Sequence, residues 1–527
     1  MRKPYQICLS MLLVCLVPAV ASAQSFRVQC PTSTITHPTA ANNNSEPAYA
    51  GPTYAGTSGY PAAPAHVNGA IKCQQISGGD GYSTMGDGTQ TYMFSFGPLS
   101  GISDISNGLP GTEFPSVFNT VTPGLLQPGD PATTGITYNG AVGLVPNLDA
   151  LAAGSCTGPC LDGHVDPRQI MDVGVMNGNI PAPLMAIDED DEFFLTLTNV
   201  GMIMRPDLFE QHTVHFHGYP NASSFYDGVP DASVAINIGA SFTYYYLAPD
   251  AGTYFWHCHI TPPEHLQMGM VGQLYVRPRQ NRATGALYTA LQAQQGDLRT
   301  ACRRPGDGAS PAVSSATDIL CSNPVPAVVT TATGGGKYAY NDGDGSTAYD
   351  VEYPIQIHGF DPSFHFIGMT FNPEEFADMK DKFFLLNGRS YPDTVTPGPL
   401  KTQSADGVNH FSQPLPTIIN IPAGKKALLR ISDLDVTEYQ TLASIGIPMN
   451  VIGINAKLLR DQAGNNLNYN TNSITLAGGE SLDVILDATD TTKYPSGSVF
   501  YLYTPNLDHL SNDAENFGGL MTEVHIN

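Results

Sequence analysis

Charged residues are scarce in this chain of 527 residues, where they make up 13% of the sequence. That scarcity argues against a coiled coil or a helical bundle, which need far more Glu, Lys and Leu. Positive charge is the scarcer sign, because 23 Lys and Arg stand against 47 Asp and Glu, for a formal net charge of −24. We therefore expect neither nucleic acid nor an anionic membrane surface among the partners of this protein.

Long apolar runs are also missing, since none reaches the roughly 20 residues that a membrane-spanning helix needs. The longest run, residues 7–20, follows Arg2 and Lys3 and precedes Ala21-Ser22-Ala23. A charged start, an apolar centre and a small-residue cleavage site predict a secretory signal peptide over residues 1–23. We expect a soluble, exported protein, either periplasmic or extracellular, with no membrane segment.

Cysteine is limited to nine residues, of which two lie in the predicted signal peptide. A third, Cys258, stands between two histidines as a candidate metal ligand. The remaining six form an even number, which suits three disulfides in an exported protein. Proximity in sequence favours the pairs Cys30–Cys73, Cys156–Cys160 and Cys302–Cys321, although six cysteines allow fifteen pairings.

Glycine and proline are abundant, with 53 and 42 residues, and short β-branched and aromatic runs alternate with turns from about residue 170 onwards. This pattern predicts an all-β protein built from two sandwich or Greek-key barrel units. Both units carry an Asn-Gly turn before a proline, at residues 177–181 and 387–392, which indicates two copies of one fold. The predicted order is a signal peptide (1–23), a loop-rich extension held by disulfides (24–165), a first β unit that holds Cys258 and its flanking histidines (166–278), a linker (279–348) and a second β unit without such a cluster (349–527).

Six of the fourteen histidines fall between positions 212 and 265, in two linked patterns. The upstream pattern is His-Thr-Val-His-Phe-His-Gly, and the downstream one is His-Cys-His followed by a histidine and a methionine. A thiolate, imidazoles and a thioether favour copper over harder cations, and a His₂Cys set with a weak axial Met is typical of a blue-copper centre. The candidate metal ligands are His212, His215, His217, His257, Cys258, His259, His265 and Met270.

Strand alternation divides these ligands between two sites, because neighbouring residues of a strand point to opposite faces. Cys258 then faces one site, which it shares with His212, His265 and Met270. His257 and His259 face the other way, towards a second site. The remaining histidines of the upstream pattern, His215 and His217, belong with them. The sequence thus predicts a mononuclear copper site joined to a four-histidine site by His257-Cys258-His259.

With both patterns in one β unit, the sequence resembles the multicopper oxidase superfamily, whose members include laccases and, as a relative, copper nitrite reductase. The resemblance covers about residues 170–527 and implies cupredoxin-like domains. It implies type 1 copper at His212, Cys258, His265 and Met270. It further implies a type 2 ligand at His215 and type 3 ligands at His217, His257 and His259. In this family, type 1 copper takes single electrons from a reductant, and the type 2 and type 3 coppers reduce dioxygen.

Two departures from the family pattern affect this interpretation. Five residues separate His259 from His265, where the common pattern has three, and the second unit has no paired histidines. A trinuclear cluster takes eight histidines in this family, and one chain offers four. We therefore expect a homo-oligomer in which copper-binding units of two chains each give four histidines.

Alternative interpretations remain open at this stage. One is a type 1 electron carrier or copper-binding protein without oxidase activity. Another is a nitrite-reductase-like enzyme in which His358 or His365 completes a type 2 site. The reductant of an oxidase is equally open, between a small molecule such as a phenol, a metal ion and a cytochrome. Glu264 is either a proton or cation acceptor near type 1 copper or a solvated loop residue, and Asp227 is either a proton donor or a turn residue.

Overall fold

The structure of the chain is a computed structural model. It describes residues 28–34, 70–119, 144–146, 161–165, 178–281, 337–403 and 409–527, apart from short gaps at 190, 203–204, 206, 209, 219–224, 249, 370–374 and 462–463. The predicted signal peptide and most of the predicted linker lie outside these ranges. Among the described residues, none of the helices combines the length and apolar character needed to span a membrane.

The first half of the described chain forms ten strands and three short helices. In chain order they are β1 (Ile71–Thr84), β2 (Gln90–Pro98), α1 (Ile102–Ser106), α2 (Pro115–Phe118), β3 (Leu144–Pro146), β4 (Leu161–Val165), β5 (Met185–Asp188), β6 (Glu192–Gly201), β7 (His215–Phe216), β8 (Ser241–Leu247), β9 (Gly252–His257), α3 (Pro262–Gln267) and β10 (Val271–Arg277). Two four-stranded sheets, β2-β1-β6-β8 and β5-β10-β9-β7, make a first unit, while β3 and β4 pair only with each other.

The second half forms another fourteen strands and one helix. They are β11 (Val351–Phe360), α4 (Pro362–Met369), β12 (Phe383–Leu386), β13 (Leu400–Gln403), β14 (Asn409–Ser412), β15 (Ile419–Ile421), β16 (Lys426–Asp433), β17 (Gln440–Ile445), β18 (Met449–Ile454), β19 (Lys457–Leu458), β20 (Tyr469–Thr471), β21 (Ser473–Leu476), β22 (Ser481–Asp487), β23 (Val499–Tyr503) and β24 (Met521–Ile526). Short 3-10 helices lie at Arg279–Asn281, Phe376–Asp378, Asp393–Val395 and Leu507–His509.

The two units share one strand topology. The second unit contains the sheets β12-β11-β16-β22-β18-β19 and β15-β24-β23-β17-β21. The first four strands of each sheet follow the same order as the corresponding sheet of the first unit, so that β12-β11-β16-β22 matches β2-β1-β6-β8 and β15-β24-β23-β17 matches β5-β10-β9-β7. In each unit the first strand pairs in parallel with a later one, β1 with β6 and β11 with β16. The predicted all-β fold with two copies of a sandwich unit is confirmed, and β23 stands where β9 stands in the first unit.

Each unit has its own apolar core. In the first, aromatic residues from both sheets interdigitate. Among them are Phe94, Tyr244 and Trp256, which are all fully buried. In the second, aliphatic residues of β16, β18 and β22 dominate, including Leu429, Val451 and Val484. Alternate residues of half-buried strands point inwards, so the period-2 patterns seen in the sequence build these cores.

The structure differs from the predicted domain boundaries at residues 71–98. These residues fall in the predicted loop-rich extension (24–165). Instead they form β1 and β2 of the first sandwich. Glycine obscured β1, because glycine disfavours strands in general but here lets backbones approach closely. A Cβ on Gly81 would lie 2.2 Å from the carbonyl oxygen of Gly178.

A buried charged network joins the two units. Arg277, at the end of β10, pairs with Glu352 of β11 at 2.8 Å, and Arg430 of β16 pairs with the same carboxylate at 3.0 Å. Nearby, the Thr253 hydroxyl of β9 donates to the Asp483 carboxylate of β22 at 2.6 Å. Since buried charges without partners are costly, this network holds the units in one relative position.

One of the predicted disulfides is described. Cys30 and Cys73 are bonded, which ties the segment 28–34 to β1, and this predicted pair is confirmed. The other two predicted pairs lie outside the described residues. Cys258 is the free cysteine of the described chain, and it is buried.

We expect Cys30→Ala to lower the free energy of unfolding by about 4 kcal/mol, because the bond closes a loop with a sequence separation of 43 residues and restricts the unfolded chain. Denaturant unfolding of the variant and the wild type checks this. The Cys30→Ala/Cys73→Ala double variant is the control and should resemble the single variant. Equal stability of wild type and variants would refute a stabilising role.

The Glu352 carboxylate makes the stability of the protein depend on acid pH. Burial alone raises its pKa, but Arg430 and Arg277 outweigh burial and lower the pKa from 4.5 to about 2. A lowered folded-state pKa stabilises the fold above the unfolded pKa, and this contribution is lost as pH falls through the folded pKa. As pH falls from about 4.5 to about 2, we therefore expect the free energy of unfolding of the wild type to decrease by about 3 kcal/mol more than that of Glu352→Gln. Urea unfolding across this pH range measures the difference, and Glu375→Gln at an exposed glutamate should keep the wild-type slope.

Candidate metal centres

Four elements of the first unit bring the predicted copper ligands together. His212 pairs with Ile236 in an isolated bridge, and His215 lies in β7. His257 ends β9, so that Cys258 follows directly, and His265 lies in α3. Because β7 pairs with β9 in the register His215 to His257, the two histidine patterns of the sequence meet at this edge of the sheet.

The first group consists of His212, Cys258 and His265, all fully buried. One ligand atom of each lies within 4.8 Å of the others. The Nδ1 atom of His265 lies 3.2 Å from the Cys258 sulfur, and the Nδ1 atom of His212 lies 4.0 Å from it. The Thr213 N–H donates to the same sulfur at 3.3 Å, which stabilises a thiolate.

Met270 lies beside this group, as predicted. Its backbone N–H donates to the His265 carbonyl at 2.8 Å, and its carbonyl accepts the Cys258 N–H at 3.1 Å. A Cβ built on Gly78 would lie 3.2 Å from the Met270 methyl and 2.6 Å from the His212 ring. The methionine and the histidine thus both pack against the bare backbone of β1, and any larger residue at position 78 would displace them.

The two residues inserted between His259 and His265 belong to a segment that folds as a short helix. Thr261 precedes α3 with a φ of 35°, and prolines occupy the first two helical positions. Proline suits these positions because the first helical N–H groups have no partner in the helix. The lengthened loop therefore still delivers His265 to the sulfur.

Charges in the first group favour the ligand-competent forms of Cys258 and His212, whereas His265 must give up a proton to bind a metal. Burial raises the pKa of the Cys258 thiol, but His265 and the N–H donors outweigh it, so the pKa falls below its usual value. Burial lowers the pKa of His265, but Cys258 and Glu210 overcome this and raise it to about 10. Burial and His265 hold the pKa of His212 well below its usual value, so its ring is neutral. Thiolate and neutral imidazole are the forms that bind metals.

The second group brings all four remaining histidines together. The ring centroid of His215 lies 5.3 Å from the ring centroids of His217 and His257, and 5.0 Å from the ring centroid of His259. Ligand atoms of His215, His217 and His257 lie within 4.8 Å of one another. His259 borders this triplet, with its ring 5.3 Å from that of His257.

Hydrogen bonds to backbone carbonyls orient three of these rings. The Nδ1–H group of His215 donates to the Asp227 carbonyl at 2.6 Å, and that of His257 donates to the Cys258 carbonyl at 2.7 Å. His217 donates from Nδ1 to the carbonyl of Gly479 in the second unit at 3.3 Å. A neutral imidazole with a proton on Nδ1 has a lone pair on Nε2, so three lone pairs converge. Carbonyl-tethered histidines of this kind are typical of metal ligands.

The electrostatics of the second group also favour a bound cation. Burial, together with the neighbouring imidazoles, lowers the pKa of His217 to about 4 and holds that of His257 well below its usual value. Burial also lowers the pKa of His215. The Nε2 atoms of His217 and His257 are 3.1 Å apart, a spacing at which two lone pairs repel unless a cation or a proton lies between them.

The second unit supplies no histidine to either group in the described chain. His358 and His365 are buried against the loop that carries His265, where their Nε2 atoms lie 2.9 Å from the carbonyls of Leu266 and Gln267. The alternative in which one of them completes a type 2 site therefore does not fit, because both rings are enclosed and engaged within their own chain. His509 and His525 lie apart, paired with Glu438 and Glu523.

Several residues at these sites were not predicted from the sequence. Glu210 lies with its carboxylate 3.5 Å from Nε2 of His265 and has a side chain 23% exposed, whereas the predicted candidate Glu264 is 5% exposed. Asp227 was a candidate proton donor or turn residue, and its contact with His215 through the backbone carbonyl was not predicted. Gly479, with a φ of 90°, lies so close to His217 that a Cβ would come within 2.7 Å of the ring. A glycine pair at 478–479 and an acid two residues before His212 were the available signals.

Part of the chain that carries this geometry is similar to known proteins. Residues 162–281 match the profile of the family described as multicopper oxidase. This segment is similar to a multicopper oxidase domain. It contains every predicted ligand, and the second unit lies beyond the match.

Curated relatives of this region share short segments with the chain. A laccase of Aspergillus fumigatus is 34% identical over 126 residues, which are 24% of this chain and 20% of the laccase. A copper-containing nitrite reductase of Rhizobium meliloti is 33% identical over 114 residues, 21% of this chain and 27% of that protein. The chain thus spans about a fifth to a quarter of the length of these relatives. Among solved structures, a blue copper oxidase from Nitrosomonas europaea aligns with a TM-score of 0.43 at 19% identity, covering 66% of this chain and 78% of that one.

The residues present fit copper, which the multicopper oxidase family implies. Two imidazole Nδ1 atoms face one thiolate beside a thioether, and this donor set selects copper over hard cations. Three converging imidazoles in the second group suit copper equally well. The first group would hold type 1 copper, and the second would hold further copper.

We expect Cys258→Ser to abolish the intense visible absorption of a copper–thiolate bond and to lose the copper of the first group, because a hydroxyl cannot replace the thiolate. His217→Ala is the converse variant, which should keep this absorption and lose copper from the second group. Copper analysis and absorption spectra of both proteins measure the outcome. If Cys258→Ser retained the thiolate absorption, the first group could not be the type 1 site.

Proposed function

We propose that this protein is an exported copper-dependent oxidase, which takes single electrons from a reductant at the first group and delivers them to dioxygen at the second. The observation that supports this most directly is the continuity of the two groups. Cys258 belongs to the first group, while its chain neighbours His257 and His259 belong to the second. Electrons therefore have a covalent path from Cys258 to the second group through either neighbouring residue, His257 or His259.

Copper, when bound, supplies the one-electron chemistry at the first group and the binding and reduction of dioxygen at the second. The protein supplies position and environment. Thr213 fixes both sides of the path, because its N–H donates to the Cys258 sulfur and its hydroxyl accepts the His259 N–H at 2.9 Å. Backbone carbonyls fix the tautomers of three histidines, so that all of them present Nε2 to the same point.

The reductant approaches near Glu210 in this proposal. Its carboxylate is partly exposed and lies next to His265, whereas His265 itself is fully buried. Hydrogen bonding to His265 lowers the pKa of Glu210, so this carboxylate is ionised at neutral pH. A fixed negative charge at the edge of the first group favours a cationic or hydrogen-bond-donating reductant over an anionic one.

Small molecules reach the second group through a cavity of about 390 Å³ beside His217. One wall is apolar and comes from the first unit, with Phe255, Pro262 and Leu266. The opposite wall comes from residues 435–439 and 477–479 of the second unit and carries the carboxylates of Asp435 and Glu438. Negative charge on this wall disfavours an anion such as nitrite, so a neutral substrate such as dioxygen is the better fit.

Completion of a trinuclear cluster requires a second copy of the chain in this proposal. The described residues place four histidines at the second group, half of the number that such a cluster takes in the family. We propose that two copies face each other through this group, each contributing His215, His217, His257 and His259. Export, predicted from residues 1–23, agrees with the Cys30–Cys73 disulfide, since disulfides persist in oxidising compartments.

The test combines metal content, spectra, size and activity of the purified protein. We expect one copper per chain with thiolate absorption, three further coppers shared by two chains, a dimer or larger oligomer, and dioxygen uptake with a phenol or ferrous ion as reductant. His259→Ala should abolish dioxygen uptake while keeping the thiolate absorption. His525→Ala, at a half-exposed histidine of the second unit, is the matched control and should keep both.

Other outcomes point to the other functions. Copper at the first group alone, without dioxygen uptake, identifies an electron carrier. One additional mononuclear copper with nitrite reduction identifies a nitrite reductase. A monomer with full oxidase activity contradicts the shared cluster.

A further inference from the structure

The loop that carries His265 and Met270 is held from outside the copper-binding unit. This ligand loop comprises α3 and Met268 to Met270, and its contacts with the second unit concentrate on two consecutive residues, Leu266 and Gln267. Both directly follow the ligand His265. The second unit has no metal ligands of its own in the described chain, yet it makes these contacts with buried polar side chains.

Two histidines of the second unit lie within hydrogen-bond distance of backbone carbonyls of the ligand loop. His358, at the end of β11 and 1% exposed, donates from Nε2 to the Leu266 carbonyl at 2.9 Å. His365, in α4 and fully buried, has Nε2 at 2.9 Å from the Gln267 carbonyl and Nδ1 at 2.5 Å from the Tyr92 carbonyl of β2. A neutral imidazole carries one N–H and donates to one of these carbonyls at a time.

The Gln267 side chain makes two further contacts with the second unit. Its carbonyl oxygen accepts the Asp361 N–H at 2.9 Å, and its amide donates to the Asp381 carboxylate at 3.0 Å. Gln267 is fully buried, so these hydrogen bonds are shielded from water. A buried polar group that loses its hydrogen-bond partner destabilises the fold. The contacts of Gln267 with Asp361 and Asp381 therefore favour one position of the ligand loop over others.

The ligand loop needs such support for a physical reason. A helix of six residues is too short to be stable by itself, and the last carbonyls of any helix lack partners within it. No side chain caps the start of α3 at Thr261. The contacts from His358 and His365 fall on the last two residues of α3, where the carbonyls need donors.

We propose that the second unit acts as a clamp on the ligand loop, in which His358, His365 and Asp381 are positioning residues for the type 1 site. The clamp fixes His265 and Met270 relative to Cys258, and so tunes the reduction potential and the copper affinity of the first group. This inference rests on the proposed function, because it requires type 1 copper at the first group. It assigns a role in the reaction to a unit without metal ligands.

The test compares variants on both sides of the clamp in the full-length, copper-loaded protein. His358→Leu and His365→Leu remove the donors of the second unit. Gln267→Met removes both side-chain contacts from the loop side with little change in volume. His358→Gln restores a donor near the position of Nε2. His509→Leu is the matched control, a buried histidine of the same unit that contacts Gln440 and Asn506 and not the loop.

The readouts are the copper–thiolate absorption, the electron paramagnetic resonance spectrum, the reduction potential and the copper affinity of the first group. We expect His358→Leu, His365→Leu and Gln267→Met to shift the potential and the spectra and to weaken copper binding by about 10- to 100-fold, as loss of ligand-supporting hydrogen bonds does elsewhere. His358→Gln should recover most of the wild-type spectrum. His509→Leu should lower the unfolding temperature and leave the spectrum unchanged.

A wild-type spectrum and potential in Gln267→Met and in each histidine variant that folds would overturn the clamp. If the leucine variants do not fold, Gln267→Met alone decides, because it leaves the core of the second unit intact. Absence of thiolate absorption in the fully loaded wild type would instead defeat the proposed function, and the clamp with it.

Discussion

The whole arrangement depends on the alternation of side chains at the end of β9. Cys258 faces a fully buried pocket with His212 and His265, while His257 and His259 face the second group. No other residue spacing would place a thiolate and two imidazoles on opposite sides of a backbone with so short a covalent link. The rest of the first unit serves this geometry: β7 brings His215 opposite His257, and the glycine of β1 at position 78 leaves room for His212 and Met270.

Much of the site could be predicted from the sequence, because ligands in fixed register on neighbouring strands reveal themselves by spacing. All eight candidate ligands lie in the two groups or directly beside them. Contacts between distant segments could not be predicted in this way. The carbonyl of Gly479 on His217 joins residues 262 positions apart, and Glu210 carries no motif that marks it. Strand β1 was missed for a related reason, since its glycines mean close backbone approach here and a turn in most other settings.

The second unit has the strand topology of the first, without a comparable group of metal ligands among its described residues. Strands β17 and β23 correspond to β7 and β9, but they carry Leu442 and Leu502, which pack in an apolar core. Apolar packing fills the positions in this copy that the metal ligands occupy in the first. The second unit contacts the copper-binding unit through the charged network around Glu352 and Arg430.

The hydrogen bond between His217 and Gly479 also orders events during biosynthesis. The four histidines of the second group leave the ribosome long before the glycine that orients one of them, since 262 residues separate the two partners. At ordinary elongation rates this interval is on the order of tens of seconds. During that time the first unit can fold around its core, but His217 lacks its final tether. The geometry of the second group that includes this tether is therefore complete only after the second unit has docked.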